Sequence, residues 1–413
     1  MVQSACLGLH SCTITNFDTA FGDPCAGVSK LLDVEATCSA GSPTTGSSSS
    51  SASATGSSGS SSSGGSSGSS GGSTGGASGF GVLPNGLRDR TLWPFASDSI
   101  WNTPIGSGAT LVAAPITNTG STVIYQDPDL IVMTPTAPLT NLDQSGAGWG
   151  GDRCTTTTDV VDSLPIPTNF TVDSNAYNSC IAVLRPDGRT VAQSNAFARC
   201  GAGSDATCFT NSFDDVDLYG PGITGSHGGS TLSALGGTIR YGEFTSGAIH
   251  HALKIAVDAH RYFYCPSTPC QPVWPATTVD SYANQQTYGG TNPYVTQGAL
   301  LTLDASFDVS ALQTVPGRIL GQAVKDYGIY IVDDTTGDSW VLESEGGPNG
   351  YVIDEFNSLY GYSIGTFAAP PGAPFLSDME AVYGALKVVT NNGPTNIGGG
   401  GTPRAPLAPA IGN

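Results

Sequence analysis

Residues able to do acid–base or electrostatic chemistry are concentrated between residues 227 and 265. This window holds four of the five histidines, together with the cations Arg240, Lys254 and Arg261. Because the formal net charge of the chain is −19 at pH 7, these cations form a local basic island. Such an island suits an anionic ligand, for example a uronic acid carboxylate. The candidate catalytic groups are His227, Arg240, Tyr241, Glu243, His250, His251 and Lys254.

Two reactions fit these groups. In a polysaccharide lyase, a cation neutralises the uronate carboxylate, a histidine or tyrosine removes the C5 proton, and a tyrosine protonates the leaving oxygen. In a glycoside hydrolase, two carboxylates on facing strands act as acid and as base or nucleophile. The carboxylates available are Glu243 with Asp258, Asp333, Asp334 or Glu343. A non-catalytic binding surface is the alternative, since isolated histidines on strands are commonly core or surface residues.

Alternation predicts a single strand over residues 249–260. His251 then lies on a core face, while His250, Lys254 and His260 lie on a polar face. At about 3.3 Å per residue, His250 and His260 would be about 33 Å apart and could not share a metal ion. The sequence requires no cofactor but allows a divalent cation, held by His227, Glu243 and His250 or His251, or as calcium by the acidic loop at 214–217.

The elements that must position these groups are mainly strands. From residue 80 to about residue 392, short apolar runs alternate with Gly, Pro, Asn and Asp clusters, which is typical of all-β domains. We expect a β-sandwich of jelly-roll type with a few helices, including Pro316–Tyr327 and Asp378–Leu386. A β-rich α+β fold is the alternative. A polar and aromatic segment at 274–294 is the predicted sugar-binding rim, with Trp274, Tyr282, Asn284 and Tyr288 as contacts.

The ten cysteines favour an exported, disulfide-bonded protein. Close spacing suggests that Cys265 pairs with Cys270 and Cys200 with Cys208, and Cys154 could reach Cys180. The sequon that begins at Asn169 would accept a glycan in a eukaryotic host. The acidic charge excludes nucleic acid as a partner, and no apolar run is long enough for membrane insertion. We therefore expect an extracellular location, although no signal peptide is evident in the chain.

The first 39 residues contain a specific cysteine pattern. Phe21-Gly-Asp-Pro-Cys25 is followed by Gly27, Lys30, Leu32, Val34 and Cys38. This pattern resembles the C-terminal half of the rhamnose- and galactose-binding lectin domain of the sea-urchin-egg-lectin type. The resemblance implies a disulfide between Cys6 and Cys12, and sugar contacts from Asp23 and Lys30.

These observations predict a lectin-like module at 1–39, a disordered Ser/Gly linker at 40–79 and a β-rich main domain at 80–413. The main domain resembles secreted microbial proteins of no named family. The predicted function is a secreted carbohydrate-active enzyme, a polysaccharide lyase or glycoside hydrolase, that binds a polysaccharide or glycan. A carbohydrate-binding or structural protein of an extracellular matrix is the alternative, and the sequence leaves the oligomeric state open.

Overall fold

A computed structural model describes residues 79–117, 124–149, 151–155, 157–174, 176, 178–209, 215–335, 337–365 and 372–412. The predicted lectin-like module and residues 40–78 of the predicted linker lie outside these ranges. Cys6, Cys12, Asp23 and Lys30 therefore remain predictions.

Short strands dominate the described residues. The strands are β1 (Leu111–Ala113), β2 (Ile124–Val132), β3 (Leu139–Ser145), β4 (Thr157–Pro165), β5 (Ile181–Leu184), β6 (Thr190–Ser194), β7 (Ala206–Cys208), β8 (Val216–Asp217), β9 (Thr224–His227), β10 (Leu253–Val257), β11 (Leu300–Thr302), β12 (Ile329–Asp334), β13 (Trp340–Gly347), β14 (Gly350–Tyr351) and β15 (Lys387–Val389). The helices are α1 (Glu243–Ser246), α2 (Ala259–Tyr262), α3 (Val315–Asp326), α4 (Val352–Tyr360) and α5 (Ala373–Gly384). Single 3-10 turns cover Val309–Ala311 and Ile397–Gly399.

Fourteen of the fifteen described strands form two sheets, and β9 belongs to neither. The larger has eleven strands in the order β1-β15-β11-β12-β10-β13-β2-β5-β6-β8, with β14 beside β13, and the smaller has the order β4-β3-β7. The prediction of a mainly β fold with a few helices is confirmed. The larger sheet is mixed, because β10 pairs in parallel with β12, and β2 with both β13 and β5. A jelly roll is built from antiparallel strands. Here the long connection from β10 to β12, which contains α3, allows these two strands to pair in parallel.

Apolar side chains cover both faces of the larger sheet. Leu253, Ile255 and Val257 of β10 point to one face, where they pack with buried residues of α3 and α5. The opposite face packs around Trp101 and Tyr330. A third apolar cluster joins β2, β5 and β6 to the smaller sheet. The predicted alternation therefore holds within β10, but the face expected to be polar is also buried. The third cluster packs the two sheets face to face.

The predicted strand over 249–260 is shorter than expected. Only Leu253–Val257 is a strand, and Ala259–Tyr262 forms the helix α2. Glu243, predicted on a strand, begins the helix α1, which lies between Gly242 (φ 103°) and Gly247 (φ 81°). These left-handed glycines start and end the single turn of helix. His250 and His251 consequently lie in a loop.

The disulfide predictions are corrected in part. Cys265 is bonded to Cys270, but Cys154 is bonded to Cys200, with Cα atoms 6.3 Å apart. Cys180 and Cys208 are buried free thiols. The fold places Cys180 immediately before β5 and Cys208 in β7, so both point into the interior instead of toward the predicted partners. No described helix is long and apolar enough to cross a membrane.

Candidate functional site

Four carboxylates lie on one face of the larger sheet because of the register of two parallel strands. Asp127 of β2 is the register partner of Glu343 of β13, and Asp129 is the partner of Glu345. Paired residues of adjacent strands share a face, as do residues two apart in one strand. The register therefore brings these four acids together in the interior.

The first polar group on this face is the His227 cluster, which we define as Asp127, Asp129, Cys180, His227, Lys254, Asp333 and Glu343. His227 Nε2 lies 3.1 Å from Glu343 Oε2 and 3.6 Å from Asp129 Oδ1. Lys254 Nζ lies 2.8 Å from Asp129 Oδ2. Lys254 also donates to the carbonyl oxygens of Ser233 (2.8 Å) and Ala234 (3.2 Å). The cluster thus contains more buried acids than cations.

Two members of the His227 cluster lack hydrogen bonds. Both ring nitrogens of His227 and both carboxylate oxygens of Glu343 are buried, with no hydrogen-bond partner among the described residues. Their 3.1 Å contact is short enough for a hydrogen bond but does not have the alignment of one. The ligand atoms of Asp129, Cys180 and His227 lie within 4.8 Å of one another and could hold a metal ion.

Asn178 connects two of the acids. Its amide Nδ2 donates to Asp333 Oδ2 at 3.2 Å, and its side chain lies close enough to Asp127 to act against the rise in the pKa of that acid. Burial raises the pKa of Asp127 well above its usual value, and the charges of Glu343 and Asp129 raise it further. Burial likewise raises the pKa of Asp333, which is increased further by the charge of Asp280. Burial and the neighbouring acids thus disfavour the charged forms of both carboxyl groups.

The pKa of His227 shifts in the opposite sense. Burial and the charge of Lys254 lower it to about 3, although Asp129 acts to raise it. Burial and the charge of Asp129 raise the pKa of Glu343 well above its usual value. At neutral pH His227 is therefore an uncharged imidazole, which leaves Lys254 as the cation of the cluster.

A glycine loop lies directly against the acids. A Cβ atom on Gly228 (φ 45°) would be 2.2 Å from Asp333 Cγ, and one on Gly229 would be 2.5 Å from Asp280 Oδ1. The Gly229 amide lies 3.3 Å from Asp333 Oδ1 and donates to it. Glycine is required here because the main chain and the carboxylates occupy the space of a side chain.

The outer edge of the site contains part of the predicted sugar-binding rim. Tyr282 is 51% exposed, and its hydroxyl donates to Asp334 at 2.8 Å. Buried Tyr288 donates to Asp280 at 2.7 Å. Asn284 stays within its own turn, where its side chain accepts from the amide nitrogens of residues 286 and 287. Trp274 instead packs against the apolar cluster around Trp101.

The second polar group is the Arg240 cluster, which we define as Arg240, Glu243, His251, Glu345 and Glu355. Arg240 Nε donates to Glu345 at 2.7 Å, and the guanidinium also donates to two main-chain carbonyls at 3.0 Å. Glu243 accepts from the Arg240 amide at 2.7 Å. Glu355 accepts from two amides and the Thr245 hydroxyl.

His251 contacts Glu243 at 3.1 Å, and its Nδ1 lies 2.9 Å from the Ala252 carbonyl oxygen. Burial acts to lower the pKa of His251, but the charge and hydrogen bond of Glu243 outweigh burial and raise it. Every member of the Arg240 cluster therefore has a partner of opposite charge or a hydrogen bond.

The predicted catalytic window is thus divided. His227 and Lys254 belong to the His227 cluster, whereas Arg240, Glu243 and His251 belong to the Arg240 cluster. Tyr241 is 40% exposed, and His250 stacks on Trp93 with ring centroids 5.6 Å apart. In the predicted calcium loop, the described carboxylates Asp215 and Asp217 are paired with arginines.

Sequence reasoning missed the acids of β2 and Asn178. The available signal was a pair of acids two residues apart in an otherwise apolar strand. Asp127 and Asp129 precede Leu-Ile-Val in β2, and Glu343 and Glu345 have the same spacing in β13. Asn178 gives no such signal, because it lies in a loop.

Comparison with known proteins finds similarity over a short segment. No family model and no solved structure matches the chain. Over 39 residues, or 9% of its length, it is 54% identical to β-galactosidase 8 of Arabidopsis thaliana and 51% identical to β-galactosidase 6 of Oryza sativa subsp. japonica. The matched segment spans only 5% and 4% of those proteins. The chain therefore contains one short segment similar to plant β-galactosidases.

Proposed function

We propose that the described domain is a secreted glycoside hydrolase in which Asp127 and Asp333 are the catalytic carboxylates. The observation on which this rests is that the Asn178 side chain, which donates to Asp333, also lies beside Asp127. Retaining glycosidases place their two carboxyl groups about 5–5.5 Å apart. Two acids beside one amide group are close neighbours, which suits a retaining mechanism.

The surroundings of the two acids suit different roles. Asp333 accepts hydrogen bonds from the Gly229 and Asp334 amides and from Asn178; the two amide bonds act against the rise in its pKa caused by burial, which suits the role of nucleophile. Asp127 is half-buried and faces the charges of Glu343 and Asp129, which favour its protonated form. Asp127 would donate a proton to the leaving oxygen and then activate the water.

The paired cations favour a hydrolase over a lyase. Lys254 and Arg240 are buried against Asp129 and Glu345, so neither is positioned to neutralise a uronate. The acids near Asp333 would also repel an anionic sugar. A neutral glycan is therefore the proposed substrate, with exposed Tyr282 offering an aromatic face to a sugar ring.

The short similarity to plant β-galactosidases supports a carbohydrate-related role. We extend it to the proposal that the lectin-like segment binds sugar and holds the catalytic domain near its substrate. The disulfides of the described residues support an extracellular location.

The test is incubation of the full chain with neutral and uronate polysaccharides and aryl galactosides. We expect new reducing ends without the ultraviolet absorbance of unsaturated uronates, and products that keep the anomeric configuration of the substrate. Asp127→Asn and Asp333→Asn should each lower kcat by about 100- to 10,000-fold. Asp258→Asn is the matched control, because Asp258 lies outside the His227 cluster at the start of α2.

Full activity in both cluster variants would refute the assignment of these carboxylates. Unsaturated uronate products would support the lyase alternative. Sugar binding without any product would support the non-catalytic alternative.

A further inference from the structure

Three potential metal ligands meet in the interior of the domain, and a fourth lies beside one of them. The ligand atoms of Asp129, Cys180 and His227 lie within 4.8 Å of one another, and Glu343 Oε2 is 3.1 Å from His227 Nε2. The exposed fractions of these residues are 1%, 2%, 1% and 1%, respectively. The strands β2, β5, β9 and β13 or their immediate ends supply the four ligands, so they come from a rigid part of the fold.

The site has unused coordinating atoms. His227 and Glu343 have no hydrogen-bond partner among the described residues, although both are almost fully buried. Buried polar groups normally have partners, and burial without one is costly. A bound cation would satisfy the imidazole and the carboxylate together.

Two contacts of His227 are close to the ligand spacing of a tetrahedral centre. Zinc lies about 2.0–2.2 Å from nitrogen and oxygen ligands, which separates ligand atoms of a tetrahedron by about 3.3–3.6 Å. His227 Nε2 lies 3.1 Å from Glu343 Oε2 and 3.6 Å from Asp129 Oδ1. A sulfur, nitrogen and carboxylate set suits zinc and not magnesium or calcium, which prefer oxygen ligands alone.

Neighbouring groups orient the carboxylate of Asp129. Its Oδ2 accepts from Thr238 at 2.7 Å and contacts Lys254 at 2.8 Å. Its other oxygen, Oδ1, is the one that faces His227. Such outer hydrogen bonds are typical of carboxylates that bind metals. A dication would also offset the repulsion among the acids of the cluster.

We infer that Asp129, Cys180, His227 and Glu343 form a binding site for a divalent transition metal, with zinc as the preferred ion. The inference goes beyond the proposed hydrolase activity, because these four residues are distinct from Asp127 and Asp333. Metal binding requires the thiolate of Cys180 and the neutral imidazole of His227.

The test measures metal binding and not catalysis. The full chain is stripped with a chelator, dialysed and titrated with zinc, and bound metal is measured by mass spectrometry. We expect close to one zinc ion per chain. In a parallel titration, cobalt(II) should give the visible bands of a tetrahedral site and a thiolate charge-transfer band, both removed by added zinc.

Variants locate the site. Cys180→Ser should lose the charge-transfer band, and His227→Asn should lose stoichiometric binding. Cys208→Ser should keep both, and it is the matched control because Cys208 is also a buried free thiol. Thr238→Val removes a hydrogen bond to Asp129 and should weaken zinc affinity about 10- to 100-fold.

The cobalt titration of the unmodified chain keeps the test independent of any variant that fails to fold. Absence of stoichiometric zinc and cobalt binding would overturn the inference, as would a thiolate band lost in Cys208→Ser but kept in Cys180→Ser. Metal binding without sugar hydrolysis would refute only the proposed function, whereas hydrolysis by a chain that binds no metal would refute only the metal site.

Discussion

Two buried polar clusters share one sheet face, yet they satisfy their charged groups differently. Glu343 and Glu345 lie two residues apart in β13. Glu345 accepts from Arg240 and from the Tyr241 amide, whereas Glu343 has no hydrogen-bond partner among the described residues. The Arg240 cluster therefore has the properties of a structural network, and the His227 cluster those of a binding site. Unsatisfied hydrogen-bonding capacity distinguishes the two better than burial or charge does.

The largest effect on stability is expected from Arg240→Met. The change leaves Glu345 buried without its cation, which should lower the free energy of unfolding by about 3–5 kcal/mol. Urea unfolding measured by circular dichroism checks this value. Lys387→Met is the control, because Lys387 forms a solvent-exposed pair with Asp304 and should change stability little. Equal losses in the two variants would contradict the structural role of the Arg240 cluster.

An intermediate effect of opposite sign is expected from Glu343→Gln. The amide keeps the shape of the side chain but removes an ionisable group that has no hydrogen-bond partner and whose charged form is disfavoured by burial and by Asp129. With a chelator present, the free energy of unfolding at pH 7 should rise by about 1 kcal/mol or more. Glu345→Gln, the same change two residues away, should destabilise the protein. A loss of stability in both variants would remove the distinction between the clusters.

The smallest effect is a pH dependence from His251. Its pKa in the folded protein is raised above the ordinary 6.5, since Glu243 outweighs burial. The folded state then binds the proton more tightly than the unfolded state does. The stabilisation should be fully present below pH 6.5 and should disappear as the pH rises through the folded-state pKa. The difference in unfolding free energy between the unmodified chain and His251→Gln, measured across this range, should therefore shrink with rising pH. A difference that grows with pH would contradict the pairing.

Sequence periodicity predicted local structure where one face of an element is apolar. It gave the core face of β10 and the helix α3. At the start of α3 the Thr314 hydroxyl accepts from the Gly317 amide, and Gly328 follows the end of the helix. It failed around Glu243, where two left-handed glycines replace a predicted strand with a helical turn. Periodicity contains no information about such main-chain conformations.

The candidate site was only partly predictable for a different reason. The window around His227 and Lys254 was recognisable from its composition, as were the candidate acids Asp333 and Glu343. Their assembly with Asp127 depends on the parallel register of β2 and β13, which lie more than 200 residues apart in the chain. Pairing between distant strands cannot be deduced from local sequence patterns. The same limit explains why Cys154 is bonded to Cys200 instead of the predicted partner.

The glycine loop gives a criterion for recognising related proteins that retain this site. At positions 228 and 229 the carboxylates of Asp333 and Asp280 occupy the space where a Cβ atom would lie. A related chain could keep every acid and still lose their arrangement through a single alanine at either position. Retention of both glycines is therefore a more informative marker of a shared site than retention of the acids alone.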